Sequence, residues 1–173
     1  MRLFISIDFS DEIKNILTDA IGQLKKQSSS ANFTREENLH LTLAFIGETE
    51  NCDAAVRAMQ TIKMRPFDIT VGGFGSFGDL WWIGIKTASG NSDLSRLSES
   101  IKKALRSEGF DIDHKKFKPH ITIARRVKTN SQPDRIRLNI PSASMTVSGF
   151  SLMKSERING RLTYTKLYWK SLR

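Results

Sequence analysis

Apolar residues recur along this chain with two periods, one of two residues and one of three to four, and the switches between them divide it into strands and helices. Leu3 to Phe9 alternates and predicts a strand, after which Ser10, Asp11 and Glu12 offer a helix N-terminus. Ile13, Ile16, Leu17, Ile21 and Leu24 then share one helical face, and Lys25 and Lys26 suit the C-terminal end of that helix dipole. The polar run Gln27 to Asn32 reads as a loop. Leu39 to Ile46 predicts a strand stopped by Gly47, and Cys52 to about Lys63 a helix with Ala55, Met59 and Ile62 inward, closed off by Pro66.

Phe67 to Val71 and Leu80 to Ile85 read as two strands joined by the glycine-rich stretch Gly72 to Asp79. A G-x-G-x-x-G lies there at Gly73, Gly75 and Gly78, but a dinucleotide fold needs a helix next, and the strand Trp81-Trp82-Ile83-Gly84-Ile85 follows instead. The stretch is therefore a hairpin, and no cofactor is expected. Ser92 caps a third helix, in which Leu94, Leu97, Ile101, Ala104 and Leu105 form the apolar stripe and Gly109 is the stop. Lys118-Pro119 forces an extended entry into a strand from His120 to about Arg126, because the residue before proline avoids the helical region. Thr129 to Pro141 is polar and weakly patterned, the segment expected to be mobile. Met145 to Met153 and Leu162 to Trp169 predict a closing hairpin whose loop contains the turn pair Asn159-Gly160. Hairpins and helices without regular strand–helix alternation point to an α+β fold with mainly antiparallel sheets.

Composition narrows this picture. The 173 residues fit one domain, 1–173, with no linker-like break. No apolar run approaches membrane-spanning length, and Met1 to Phe9 lacks a basic leader and a cleavage site, so neither a membrane partner nor export is expected. Cys52 is the single cysteine, which rules out an internal disulfide, leaves a cysteine zinc site nothing to build on, and suits the cytoplasm. Net charge is +9, but residues 1–113 carry −3 and residues 114–173 carry +12. The basic part starts around the last helix-to-strand passage, with Lys115, Lys116, Lys118, Arg125, Arg126 and Lys128, and should attract a polyanion.

Two of the predicted strands are the same strand written twice: His40-Leu41-Thr42-Leu43-Ala44 and His120-Ile121-Thr122-Ile123-Ala124. Alternation puts histidine and threonine of each copy on one face and the aliphatic pair on the other. Threonine fills 12 of 173 positions, so chance would give both histidines a threonine two residues on at about 0.5 per cent. A single copy fits a core histidine hydrogen-bonded by its neighbour; two copies favour a shared cleft. An imidazole that takes a proton opposite one that gives it suits displacement at phosphorus, and needs no metal. His114, the third histidine, lies in a polar loop and is expected to be exposed. By simple alternation Arg125 falls on the face opposite His120, and reaches the cleft only if the strand bulges or ends there. Phe45 holds the matching place in the first copy.

These residues carry a resemblance. The paired motifs, the opening Met1-Arg2-Leu3-Phe4-Ile5, the Leu43 to Gly47 continuation, Pro119, Arg125, and Lys154-Ser155 with Gly160 before Tyr164 resemble the two-histidine phosphoesterase family. Within it they are most similar to the RNA 2',3'-cyclic phosphodiesterases historically called 2'-5' RNA ligases. The resemblance implies a bilobal α+β fold, two mainly antiparallel sheets with outer helices, and pseudo-two-fold duplication around a central cleft. It also implies metal-independent opening of a terminal 2',3'-cyclic phosphate on RNA to a 2'-phosphate, with His40 as proton donor and His120 as acceptor. Thr42 and Thr122 would hold the phosphoryl oxygens, while Arg125 and the upstream aromatic Phe33 would contact substrate. Apart from the resemblance, a monomer is expected. Three alternatives stay open: the reverse reaction forming a 2'-5' linkage, a non-catalytic RNA-binding module, and hydrolysis of a cyclic phosphate on a small metabolite.

Overall fold

A computed structural model describes residues 1–173. The elements in chain order are β1 (Arg2–Ile7), α1 (Asp11–Lys26), β2 (Ser28–Phe33), β3 (Leu41–Glu48), α2 (Cys52–Gln60), β4 (Phe67–Phe77), β5 (Leu80–Thr87), α3 (Ser92–Ser107), β6 (His120–Thr129), β7 (Ala143–Val147), β8 (Gly149–Ile158) and β9 (Arg161–Ser171). They form an α+β fold of two antiparallel sheets, ordered β3-β1-β8-β9 and β2-β6-β5-β4-β7. Helix α1 lies on the second sheet against β2, β6 and β7, while α3 packs on α2, β3 and β5. The face of each sheet turned to the helices is apolar, and 37 buried side chains from both sheets, the three helices and their connections join in one core.

Local chemistry explains most boundaries. The Ser10 side chain accepts a hydrogen bond from the Ile13 N–H, with Asp11 and Glu12 in the first turn and Lys25 and Lys26 in the last. Asn159 and Gly160 both take positive φ, 50° and 77°, the pair of values that closes a two-residue turn matched to the twist of β8 and β9.

Four expectations change. Gln27 to Asn32 is not a loop: Ser28–Phe33 forms an edge strand on β6. Its Ser-Ser-Ser-Ala-Asn-Phe sequence has little apolar periodicity because the neighbour's backbone, not a buried side-chain row, recruits it. Strand β4 runs through the glycines to Phe77 with a bulge between Val71 and Phe74, leaving only Gly78-Asp79 as the turn. Glycine is required inside it, since a Cβ on Gly75 would lie 2.4 Å from Trp82 Cζ2. Met145 to Met153 is two strands belonging to different sheets, the chain crossing between them at Ser148. The segment Thr129 to Pro141 is tied to α1 by backbone-mimicking amides. Gln27 Nε2 donates to Arg137 O at 2.8 Å, and Gln23 accepts from Asn139 N at 2.7 Å and donates to Asn139 O at 2.9 Å.

Candidate active site

Both motif strands carry a bulge at the same place. Along β3, Thr42 pairs with Ser6 and Ala44 with Ile5, so Leu43 is the extra residue. Along β6, Thr122 pairs with Trp82 and Ala124 with Trp81, so Ile123 is the extra residue. In each copy two consecutive residues therefore turn to the core, Leu43 with Ala44 and Ile123 with Ala124, and the alternation beyond them is inverted. The carbonyls released from the ladder find other partners. Ser98 Oγ donates to Leu43 O at 2.7 Å, and Thr34 N donates to Ile123 O at 2.9 Å. The inversion moves Arg125 onto the face of His120 and Thr122, and its counterpart Phe45 onto the face of Thr42, where 58% of it is exposed.

The histidines are held in the same way. His40 Nδ1 donates to the carbonyl of Asn38 at 2.7 Å, and His120 Nδ1 to that of Lys118 at 2.7 Å. A carbonyl only accepts, so Nδ1 carries the proton and Nε2 of each ring is the nitrogen left to meet other partners. His40 Nε2 meets Thr42 Oγ1 at 2.9 Å. Asn38 also ties this loop to the closing hairpin, its Nδ2 donating to Leu162 O at 3.0 Å beside a second bond from Arg35 to the same carbonyl.

Beyond that shared frame the two copies differ. The His40 ring is boxed by Phe4, centroids 5.0 Å apart, and by Tyr164, edge-on at 5.2 Å. His120 has one aromatic neighbour, the exposed Phe77 at 5.5 Å. Burial pulls the His40 pKa below its ordinary value; the Asn38 carbonyl and the Asp8 carboxylate oppose that, and the Arg125 charge adds to it. Burial raises the Tyr164 phenol, against the charges of Arg125 and Arg2. Arg125 stands on the second sheet, whereas His40 and Tyr164 stand on the first. Its charge bears on both, so the two polar faces look at each other across one cleft, along the line where β3 and β6 meet.

His40, Thr42, His120, Thr122 and Arg125 thus share the cleft. Phe33 does not: it pairs with Ala124, packs against the core, and turns away from Thr122 and Arg125. Of the adjacent tryptophans, Trp81 is in the core and Trp82 lies on the cleft side over Gly75. His114 is exposed, and no group of three His, Cys, Asp or Glu side chains is arranged to hold a metal ion. No helix is long and apolar enough to cross a membrane. Sequence reasoning missed Asn38, Phe4 and Tyr164. The spacing of Asn38 and Lys118, each two residues before a histidine, was the available signal for the carbonyls; nothing local marks Tyr164 as a wall of His40.

Two opposed antiparallel sheets, each delivering a His-x-Thr from a bulged strand, define a two-histidine phosphoesterase. The family model of the 2'-5' RNA ligase superfamily matches residues 10–159, and the chain belongs to that superfamily. It is similar to the RNA 2',3'-cyclic phosphodiesterase of Thermotoga maritima, 32% identical over 183 residues covering 97% of this chain and 94% of that protein. The protein of the same name from Archaeoglobus fulgidus is 32% identical over 165 residues, 90% of this chain and 91% of its own. Among solved structures, TT0787 of Thermus thermophilus superposes with a TM-score of 0.83 at 25% identity, covering 100% of this chain and 98% of that one.

Proposed function

We propose that this protein is an RNA 2',3'-cyclic phosphodiesterase that opens a terminal 2',3'-cyclic phosphate to a 2'-phosphate without a metal ion. One observation carries the reading: two imidazoles are fixed by backbone carbonyls at Nδ1, leaving Nε2 of each to exchange protons in one cleft. Similarity to proteins bearing that name supports it. His120 Nε2 takes a proton from water as the water oxygen bonds to phosphorus. The bond from phosphorus to the 3' oxygen breaks in line, and His40 Nε2 gives that oxygen its proton, leaving the phosphate on the 2' oxygen. Each transfer contributes about 10² to 10⁴ in rate. Burial makes His40 a reluctant cation in the free protein. The negative charge of the bound phosphodiester raises its proton affinity, so the donor is loaded with substrate in place.

Thr122 donates its hydroxyl to a nonbridging oxygen, and Thr42 does so by turning from His40 Nε2, with Arg125 balancing the charge that develops there. The exposed ring of Phe45 is the surface for the terminal base, a stacking contact worth about 1 to 3 kcal/mol. Phe33 is left with a packing role. The chain works as a monomer and as one domain, 1–173, in the cytoplasm; the single core spanning both sheets favours one unit. Phosphorus NMR of a 2',3'-cyclic-phosphate-ended oligonucleotide after incubation tests the reading. A 2'-phosphate, formed equally with chelator present, is the expected product. A 3'-phosphate, a ligated 2'-5' product, or binding without turnover would each replace the proposal with a different one.

A further inference from the structure

The cleft wall beyond His40 carries donors that the reaction itself does not use. Arg2, Ser155 and Tyr164 are directly paired across β1, β8 and β9, so their side chains stand in a row on one face of the first sheet. That face is the one of His40, because the Tyr164 ring packs against the imidazole. Neither the guanidinium of Arg2 nor the hydroxyls of Ser155 and Tyr164 has a hydrogen-bond or ion-pair partner within the protein. The nearby carboxylates are engaged elsewhere. Glu48, opposite Arg2 in register, turns to the Met1 amino group at 3.6 Å, and Glu156 pairs with Lys154 at 2.7 Å. Arg125, also without an acidic partner, faces this row from the other sheet.

A guanidinium and two hydroxyls, unpaired and aligned beside a phosphate-handling histidine, match the oxygens of a second phosphate. We propose that Arg2, Ser155 and Tyr164 form a second anion subsite that holds the phosphodiester one nucleotide upstream of the reacting end, making the substrate an oligonucleotide and not a free nucleoside cyclic phosphate. This rests on the phosphodiesterase reading of the cleft. It adds that the enzyme measures chain length, and that its closing hairpin serves substrate as well as His40.

The test is a binding comparison that needs no turnover. Adenosine 2'-phosphate carries the product phosphate alone, and adenosine 2',5'-bisphosphate adds one phosphate where the upstream linkage would be. Calorimetric titration of the unaltered chain is expected to give at least about tenfold tighter binding of the bisphosphate. In Arg2→Met that ratio should fall to about two or less, and in Tyr164→Phe to an intermediate value. Because the readout is a ratio within each variant, a general loss of fold or of affinity cancels. A ratio near one in the unaltered chain, or one that both variants leave unchanged, overturns the subsite. Turnover of a 2',3'-cyclic-phosphate-ended oligonucleotide by the same preparation reports separately on the phosphodiesterase reading, which can fail while the binding ratio stands.

Discussion

The division of labour between the histidines yields a prediction in which chemistry and folding separate. His40→Ala removes a bond to Asn38 O, a bond to Thr42 Oγ1 and the ring contacts with Phe4 and Tyr164. Two hydrogen bonds at about 1 kcal/mol each, with aromatic packing of about 0.5 to 1.5 kcal/mol, put the stability cost at roughly 2 to 4 kcal/mol. That lies below the 5 to 15 kcal/mol typical of a domain, so the variant should fold. Loss of the proposed proton donor should lower kcat on a cyclic phosphate by about 10² to 10⁴, a barrier increase of about 3 to 5 kcal/mol. The decisive substrate replaces the 3' bridging oxygen with sulfur, because a thiolate departs without needing a proton. Stopped-time product analysis of both substrates should then show His40→Ala largely restored on the sulfur compound and His120→Ala still crippled. The opposite pattern would exchange the donor and acceptor, and equal loss in both variants on both substrates would refute the proton-relay account of this cleft.

Three further outcomes follow from named contacts. Arg125 is one cause of the low His40 pKa, so Arg125→Met should raise it, as read by NMR titration of the imidazole; an unchanged or lower value would mean that the two groups do not face each other. Because the folded His40 pKa is depressed, the unfolded chain binds more protons as pH falls below the ordinary value of about 6.5. The unfolding free energy contributed by His40 should therefore be full above that pH and be lost as pH drops toward the folded value. His40→Gln should flatten that part of a denaturation series, and a variant with the same slope would contradict the assignment. Ser98→Ala leaves the buried Leu43 carbonyl unpaired and should cost about 1 to 3 kcal/mol in chemical denaturation, whereas a neutral result would mean that the bulge needs no such support.

What could be read in the sequence was what is written in local pattern. The helices, the motif strands and the Asn159-Gly160 turn all declare themselves through periodicity or through a residue needed for a particular dihedral. What stayed hidden depends on partners distant in the chain. β2 has no apolar rhythm because it is recruited mainly by hydrogen bonds to β6, with only Ala31 and Phe33 packing on the core. The split between β7 and β8 is marked only by a one-residue shift in alternation, from Met145 and Val147 to Phe150 and Leu152, where the chain changes sheets at Ser148. Phe33 reads as a cleft aromatic by its position upstream of the first motif, yet pairing opposite Ala124 turns it inward. Tyr164, 124 residues from His40 in the sequence, becomes its wall only because β9 lies across a sheet that brings the two rings to 5.2 Å.

The bulges explain how a duplicated strand becomes an asymmetric site. Without them, His-x-Thr would share its face with Ala44 and Ala124, and Phe45 and Arg125 would point into the core, where an unpaired guanidinium is far too costly to bury. One extra residue in each strand turns Ala44 and Ala124 inward beside Leu43 and Ile123 and releases the following side chain, Phe45 or Arg125, to the cleft. Since that position is phenylalanine in one copy and arginine in the other, the same backbone device gives one lobe an apolar surface and the other a fixed positive charge. The cation then acts across the cleft on the opposite lobe's histidine, adding to the burial that lowers its proton affinity. The two imidazoles therefore need not differ in how they are held, and they do not: each gives Nδ1–H to the carbonyl two residues before it. They differ in what surrounds Nε2, which is where the proposed reaction takes a proton up in one case and releases it in the other.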